Sequence, residues 1–189
     1  MTKGHIIFLN GTSSSGKSTI ARALQERLPE PYMHFAVDSL LHFYPERILK
    51  PTCQEDLVVL RQLIPAVVSG LHRSAAALAE AGNNLIVDHV LEREAWLKEC
   101  VELWARLDVL FVGVKCPLHV LEQREAERGD RAPGLAKLQY DRVHAHRLYD
   151  VEMDTSVLDT DECVTKIMEA LDKGHSSGAF SQLRLNSDE

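Results

Sequence analysis

No apolar run in this chain approaches the roughly 18 residues that a membrane span requires; the longest are strand-sized, so no membrane partner is expected. Aromatic residues are scarce, at 6% of 189 residues, and no repeat, heptad or collagen-like period is visible. Basic charge is in deficit: 21 Lys and Arg face 28 Asp and Glu, a net charge of −7. A nucleic-acid binder ordinarily carries a basic surplus, so nucleic acid is not an expected partner, although one anionic small molecule can still be held locally. Cys53, Cys100, Cys116 and Cys163 include no CxxC pair and no tight spacing. That disfavours a disulfide framework or a zinc site. It leaves a reduced, cytoplasmic setting as the simplest, with the thiols as small buried or half-buried side chains. The first apolar stretch runs only from Ile6 to Leu9, short of a signal-peptide core.

What is present is ordinary globular composition, 45% hydrophobic and 26% charged, in a length that suits one domain. Strand-like and helix-like segments alternate. Residues 5–10 read as a strand whose apolar run, Ile6 to Leu9, has no polar alternation, as in a parallel strand covered on both faces. Residues 18–28 carry Ile20, Ala21, Leu24 and Leu28 at helical spacing, stopped by Pro29 and Pro31. Further strands are expected at 34–38, 85–88, 108–116 and 150–155. Helical patterns cover 54–81, bent at Pro65 or Gly70, then 92–107, 117–128, 133–149 and 160–171, with a short helix and loop over 40–52. Residues 1–173 thus read as one α/β domain with a five-stranded, mostly parallel sheet, helices on both faces and a helical lid over about 124–147. Residues 174–189 read as a mobile polar tail. In such sheets ligands bind at the carboxyl ends of the strands, which directs attention to Asn10–Gly11, Asp38, Asp88 and Cys116.

The first turn, Gly11-Thr12-Ser13-Ser14-Ser15-Gly16-Lys17-Ser18, fits GxxxxGK[ST] at every fixed position and lies between an apolar strand and an amphipathic helix. The glycines let backbone N–H groups approach phosphate oxygens, and the helix that follows contributes its positive end. Lys17 is expected to reach the β- and γ-phosphates and the Ser18 hydroxyl to hold Mg²⁺, with Thr19 completing the nucleotide-binding stretch. Asp38 and Asp88 each close a strand next to this loop. One carboxylate there can take the proton of an acceptor hydroxyl, and the other can orient Mg²⁺ or hold the acceptor. Helix capping is the alternative role for both. His89 is either an acceptor contact or a hydrogen-bonded wall residue. Arg128 and Arg131 flank the Gly129-Asp130 break and can neutralise a transferring phosphoryl group. Arg124, among Glu122, Glu125 and Glu127, reads as part of a solvated face. His144 and His146 read as surface residues rather than a metal pair.

The chain resembles the chloramphenicol phosphotransferase family of small P-loop kinases. The likeness rests on IIFLNGTSSSGKSTIARALQERLPEPY at 6–32, FAVDSL at 35–40, LIVDHV at 85–90, DVLFVGVKCP at 108–117, ERGDRAPGLAKLQ at 127–139 and YDVEMDTS at 149–156. The resemblance implies ATP- and Mg²⁺-dependent transfer of the γ-phosphate to a hydroxyl, with a chloramphenicol-like antibiotic as leading acceptor. It implies Asp38 as general base, Asp88 as the strand-three aspartate, and Arg128 and Arg131 in a mobile lid over ATP. The chain departs from the family at His89, where the antibiotic-modifying enzyme has a second acidic residue, and over 41–81, where no match is found. A zeta-toxin-like kinase of a nucleotide sugar and a nucleotide-binding switch or NTPase that transfers nothing are the alternative readings.

Overall fold

The computed structural model describes residues 2–128, 134–174 and 178–185. The element order is β1 (His5–Asn10), α1 (Lys17–Arg27), β2 (Tyr32–Ala36), α2 (Val37–Leu41), α3 (Glu46–Leu49), α4 (Gln54–Glu80), β3 (Asn84–His89), α5 (Glu94–Leu103), β4 (Asp108–Lys115), α6 (Leu118–Arg128), α7 (Leu135–Val143), β5 (Val151–Asp154), α8 (Thr160–Asp172) and α9 (Gly178–Leu185). The strands form one sheet in the order β2-β3-β1-β4-β5, and every neighbouring pair is parallel. β1 is therefore central, and the chain reverses its direction of strand addition after β3.

The uniformly apolar strands are explained by two cores. Ile6 and Phe8 of β1 face one side with Leu85, Val87, Val109 and Phe111, and are covered by α4, α5 and α9. Ile7 and Leu9 face the other side with Ile86, Leu110 and Val112, beneath α1 and α8. All four β1 residues are fully buried, and each such side chain contributes roughly 1.5–3 kcal/mol through removal from water. Helix α8 starts with a capping box in which Asp159 and Glu162 bond each other's backbone N–H. The exposed Cys53 caps α4 by accepting from the Asp56 N–H, while Cys100, Cys116 and Cys163 are buried.

Three expectations change. Strand β2 stops at Ala36, whose extended backbone turns the chain into α2, so Asp38 belongs to a helix and not to a strand end. The helix expected over 133–149 ends at Val143. Its continuation is drawn inward by side-chain bonds: the Asn10 Nδ2 donates to Tyr149 Oη at 2.7 Å, and His144 Nδ1 lies 2.6 Å from the same oxygen. His144 and His146 are consequently half-buried, and His146 stacks on Phe111. The polar tail contains α9, which buries Ala179 and Phe180 in the first core. Its N-terminal turn is held by Asp150, which accepts from the Ala179 N–H at 2.8 Å. Two apolar residues at helical positions outweigh the surrounding Gly and Ser.

Phe180 is 4% exposed, with its ring 5.1 Å from Phe111 and 6.0 Å from both Phe8 and Trp104. Phe180→Ala is expected to cost about 3–5 kcal/mol in urea denaturation; a loss below about 1 kcal/mol would mean that α9 does not belong to the core.

Candidate active site

The carboxyl ends of β1, β2 and β3 open into a cleft of about 320 Å³. It is lined by Ser13, Ser14, Gly16, Lys17 and Ser18, by Asp38, Asp88 and His89, by Glu92, Arg128 and Gln139, and by an apolar group that includes Leu41, Ile64, Val68 and Trp96. Sequence-predicted site residues from four separate stretches thus meet in one place. Arg131 lies outside the described residues. A larger cavity of about 530 Å³ between α5 and α9 contains none of the expected residues.

The loop between β1 and α1 has the shape that phosphate binding requires. Gly16 precedes α1 at φ +94°, a conformation in which L side chains are strained. A Cβ on Gly11 would stand 2.4 Å from the Val114 carbonyl oxygen and 2.6 Å from Ser15 Oγ. Ser14 is itself left-handed, at φ 63°. The buried hydroxyls of Ser14 and Ser15 meet no hydrogen-bond partner among the described residues. Neighbouring elements hold the loop. Gln139 Oε1 accepts from the Ser13 N–H at 2.8 Å, and its Nε2 donates to Glu92 Oε1 at 2.7 Å. Thr155 donates to the Ser15 carbonyl at 2.9 Å.

Lys17 Nζ donates to the Thr12 carbonyl at 2.8 Å and lies 3.8 Å from Asp88 Oδ1. The Ser18 hydroxyl donates to Asp88 Oδ2 at 2.6 Å, and His34 Nε2 is 3.6 Å from the same oxygen. Burial pushes the Asp88 carboxyl upward, but the Lys17 charge, the His34 contact and the Ser18 hydroxyl outweigh it and hold it at about 2. Asp88 is therefore an ionised group fixed beside the loop, and it caps no helix. Asp38 does not act as an N-cap either. The cap of α2 is Ala36, and Asp38 sits exposed in the first turn, on the cleft.

The Arg/Glu stretch of α6 is less solvated than its composition suggests. Arg124 donates to the Thr155 carbonyl at 2.7 Å and to its hydroxyl at 3.0 Å, joining α6 to the turn after β5. The buried Glu125 accepts from the Gly134 and Ala136 N–H groups at 2.7 and 3.0 Å, capping α7 from another helix. His34, Glu92, Gln139 and Thr155 were not among the sequence candidates. Only Gln139 and Thr155 had a signal, through their place in the LAKLQ and EMDTS segments.

Burial sets the acid response. His144 and His146 are pushed down to about 4 chiefly by burial, and His89 to about 3 by burial and the neighbouring His72. Their unfolded values lie near 6.5, so the unfolded chain binds more protons between about pH 6.5 and 4. Stability is complete above that window and falls as the pH drops through it. The Asp88 contribution is present above about pH 4 and is lost toward 2. Urea midpoints measured against pH should fall in two steps, the first before any carboxylate effect; a flat profile from pH 7 to 4.5 would contradict the histidine burial.

A family model described as chloramphenicol phosphotransferase-like protein matches residues 4–172. A curated Mycobacterium tuberculosis (strain H37Rv) protein named "Putative O-phosphotransferase Rv2636" is 28% identical over 207 aligned residues, covering 97% of this chain and 89% of that protein. Among solved structures, the M. tuberculosis APS kinase bound to AMPPNP and APS superposes with a TM-score of 0.67 at 18% identity, over 91% of this chain and 99% of that one. A gluconokinase from Sinorhizobium meliloti gives 0.64 at 20%, over 95% and 97%. The tunicamycin resistance protein of Deinococcus radiodurans gives 0.64 at 22%, over 89% and 96%. These structural likenesses establish the P-loop kinase fold.

Proposed function

Since the chain belongs to the chloramphenicol phosphotransferase-like family and is a P-loop small-molecule kinase, we propose that it moves the γ-phosphate of ATP to a hydroxyl of a small apolar-bodied acceptor, with a chloramphenicol-like antibiotic as leading candidate. The observation that carries this reading is the shared cleft. A glycine loop that presents the unpartnered Ser14 hydroxyl, an ionised Asp88 and an exposed Asp38 line one cavity together with Leu41, Ile64, Val68 and Trp96.

In this reading the loop from Gly11 to Thr19 binds the phosphates through backbone N–H groups, with Lys17 on the β- and γ-phosphates. The donor set also fits Mg²⁺, which is usually held by one or two protein oxygens and the nucleotide phosphates: Ser18 Oγ and Asp88 lie side by side. Bound there, Mg²⁺ would offset phosphate charge. Asp38 accepts the proton of the acceptor hydroxyl, and Arg128 and Arg131 steady the transferred charge. Phosphoryl transfer needs little covalent chemistry from the protein, so alignment and electrostatics supply the rate. Arg124 is a structural clamp between α6 and Thr155.

The test is mass spectrometry of chloramphenicol after incubation with ATP and Mg²⁺, with Asp38→Asn as control. A drug gaining one phosphate only when Asp38 is present supports acceptor and base together. An unmodified drug removes this acceptor and directs the search to other hydroxyl compounds.

A further inference from the structure

His89 lies in the cleft wall next to Asp88, 2% exposed, with the Val90 backbone beside its ring, and its Nδ1 meets no partner with hydrogen-bond geometry. Its other nitrogen, Nε2, is 2.8 Å from His72 Nε2. His72, on α4, is fully buried, and its Nδ1 is 2.8 Å from Glu99 Oε2 on α5. The remaining Glu99 oxygen accepts from the Ser69 hydroxyl at 2.6 Å and lies 3.4 Å from the Arg73 guanidinium. Three groups from three elements therefore form one line that ends in the cleft, and phosphate binding uses none of them.

The line has a direction. A carboxylate only accepts hydrogen bonds, so Glu99 requires the His72 proton on Nδ1. That leaves His72 Nε2 as a lone pair, which requires the His89 proton on Nε2. His89 Nδ1 is then a bare lone pair in the wall of the cleft. Both rings are buried, and burial pushes His72 below its ordinary value against the pull of Glu99. A buried polar atom without a partner is costly, and a ligand donor that supplies one is favoured over an analogue lacking it.

We infer that Glu99 and His72 are positioning residues that fix His89 Nδ1 as a hydrogen-bond acceptor for the phosphate acceptor molecule, so that the cleft prefers alcohols carrying a second donor, an amide N–H or another hydroxyl, beside an apolar body. This rests on the reading of the cleft as the acceptor pocket.

Glu99→Gln provides a directional test. The Gln oxygen is needed facing the Ser69 hydroxyl and Arg73, which turns its NH₂ toward His72 Nδ1. Every donor in the line then reverses, and His89 presents Nδ1–H to the cleft. In ¹⁵N-histidine NMR, assigned with His72→Gln and His89→Gln, the wild type should show neutral His72 with its proton on Nδ1 and neutral His89 with its proton on Nε2; Glu99→Gln should exchange both. The wild-type spectrum is decisive even if the variant does not fold, and the opposite tautomer of His89 there overturns the inference.

With AMPPNP present, 1-phenylpropane-1,3-diol and N-(2-hydroxy-2-phenylethyl)acetamide should shift the His89 Nδ1 resonance. They should also bind about ten-fold more tightly than 1-phenylethanol. Equal binding of the three, or binding of none, overturns the subsite. These results are separable from the kinase reading. A wrong tautomer leaves Asp38-dependent transfer standing, whereas absence of any organic phosphate product leaves the tautomers as they are.

Discussion

Lys17→Ala is expected to lower kcat/KM for phosphate transfer by at least about 10³-fold, because the proposed reaction sets the Lys17 charge against the β- and γ-phosphates. The structure adds a second consequence. Lys17 and Asp88 are both buried, with side chains 7% and 8% exposed, and truncating one member of such a pair costs about 3–5 kcal/mol. The lower end is expected, since the 3.8 Å separation is long and Asp88 keeps the Ser18 hydroxyl at 2.6 Å. Removing Lys17 also removes the leading influence that holds the Asp88 carboxyl down against burial. Its acid-stability step should therefore move toward higher pH. ADP-release kinetics and urea denaturation measure the two effects separately. A wild-type rate in Lys17→Ala would take the glycine loop out of the reaction.

Asp38→Asn should lower kcat by about 10²–10⁴-fold, the usual contribution of a positioned base, with little change in AMPPNP affinity or melting temperature. The split follows from position. Asp38 is exposed in the first turn of α2 and its side chain does not cap that helix, so exchanging its carboxylate for an amide of the same shape removes no helix cap and opens no cavity. A lowered melting temperature with unchanged kcat would make Asp38 a structural residue and leave the base unassigned.

The parts of the site legible in the sequence are those where one local requirement dictates residue type. Gly11, Gly16, Lys17 and Ser18 answer to phosphate geometry within one turn, and the uniform apolarity of Ile6–Leu9 answers to burial on both faces. Asp38 and Asp88 were found because strands end near them, although Asp38 proved to lie past Ala36 in a helix. What stayed hidden depends on distant pairing. Gln139 matters because Ser13 is 126 positions away, and Glu125 is buried because α7 begins against it. A charged stretch with alternating Arg and Glu has the composition of a solvated face whether or not another element covers it. His72 and Glu99, 27 positions apart on two helices, show no motif at all. The polar tail misled in the opposite sense, since the burial of Ala179 and Phe180 in α9 is decided by the exposed edge of the first core and not by the Gly and Ser around them.

The central claim is that the γ-phosphate goes to carbon-bound oxygen and not to water. The most direct measurement follows ³²P from γ-labelled ATP through a panel of hydroxyl compounds that includes chloramphenicol, with wild-type protein and Asp38→Asn side by side. The account predicts label in an organic phosphate, formed by the wild type and lost with Asp38. Label found solely as inorganic phosphate, at a rate indifferent to every compound and to Asp38, would contradict it.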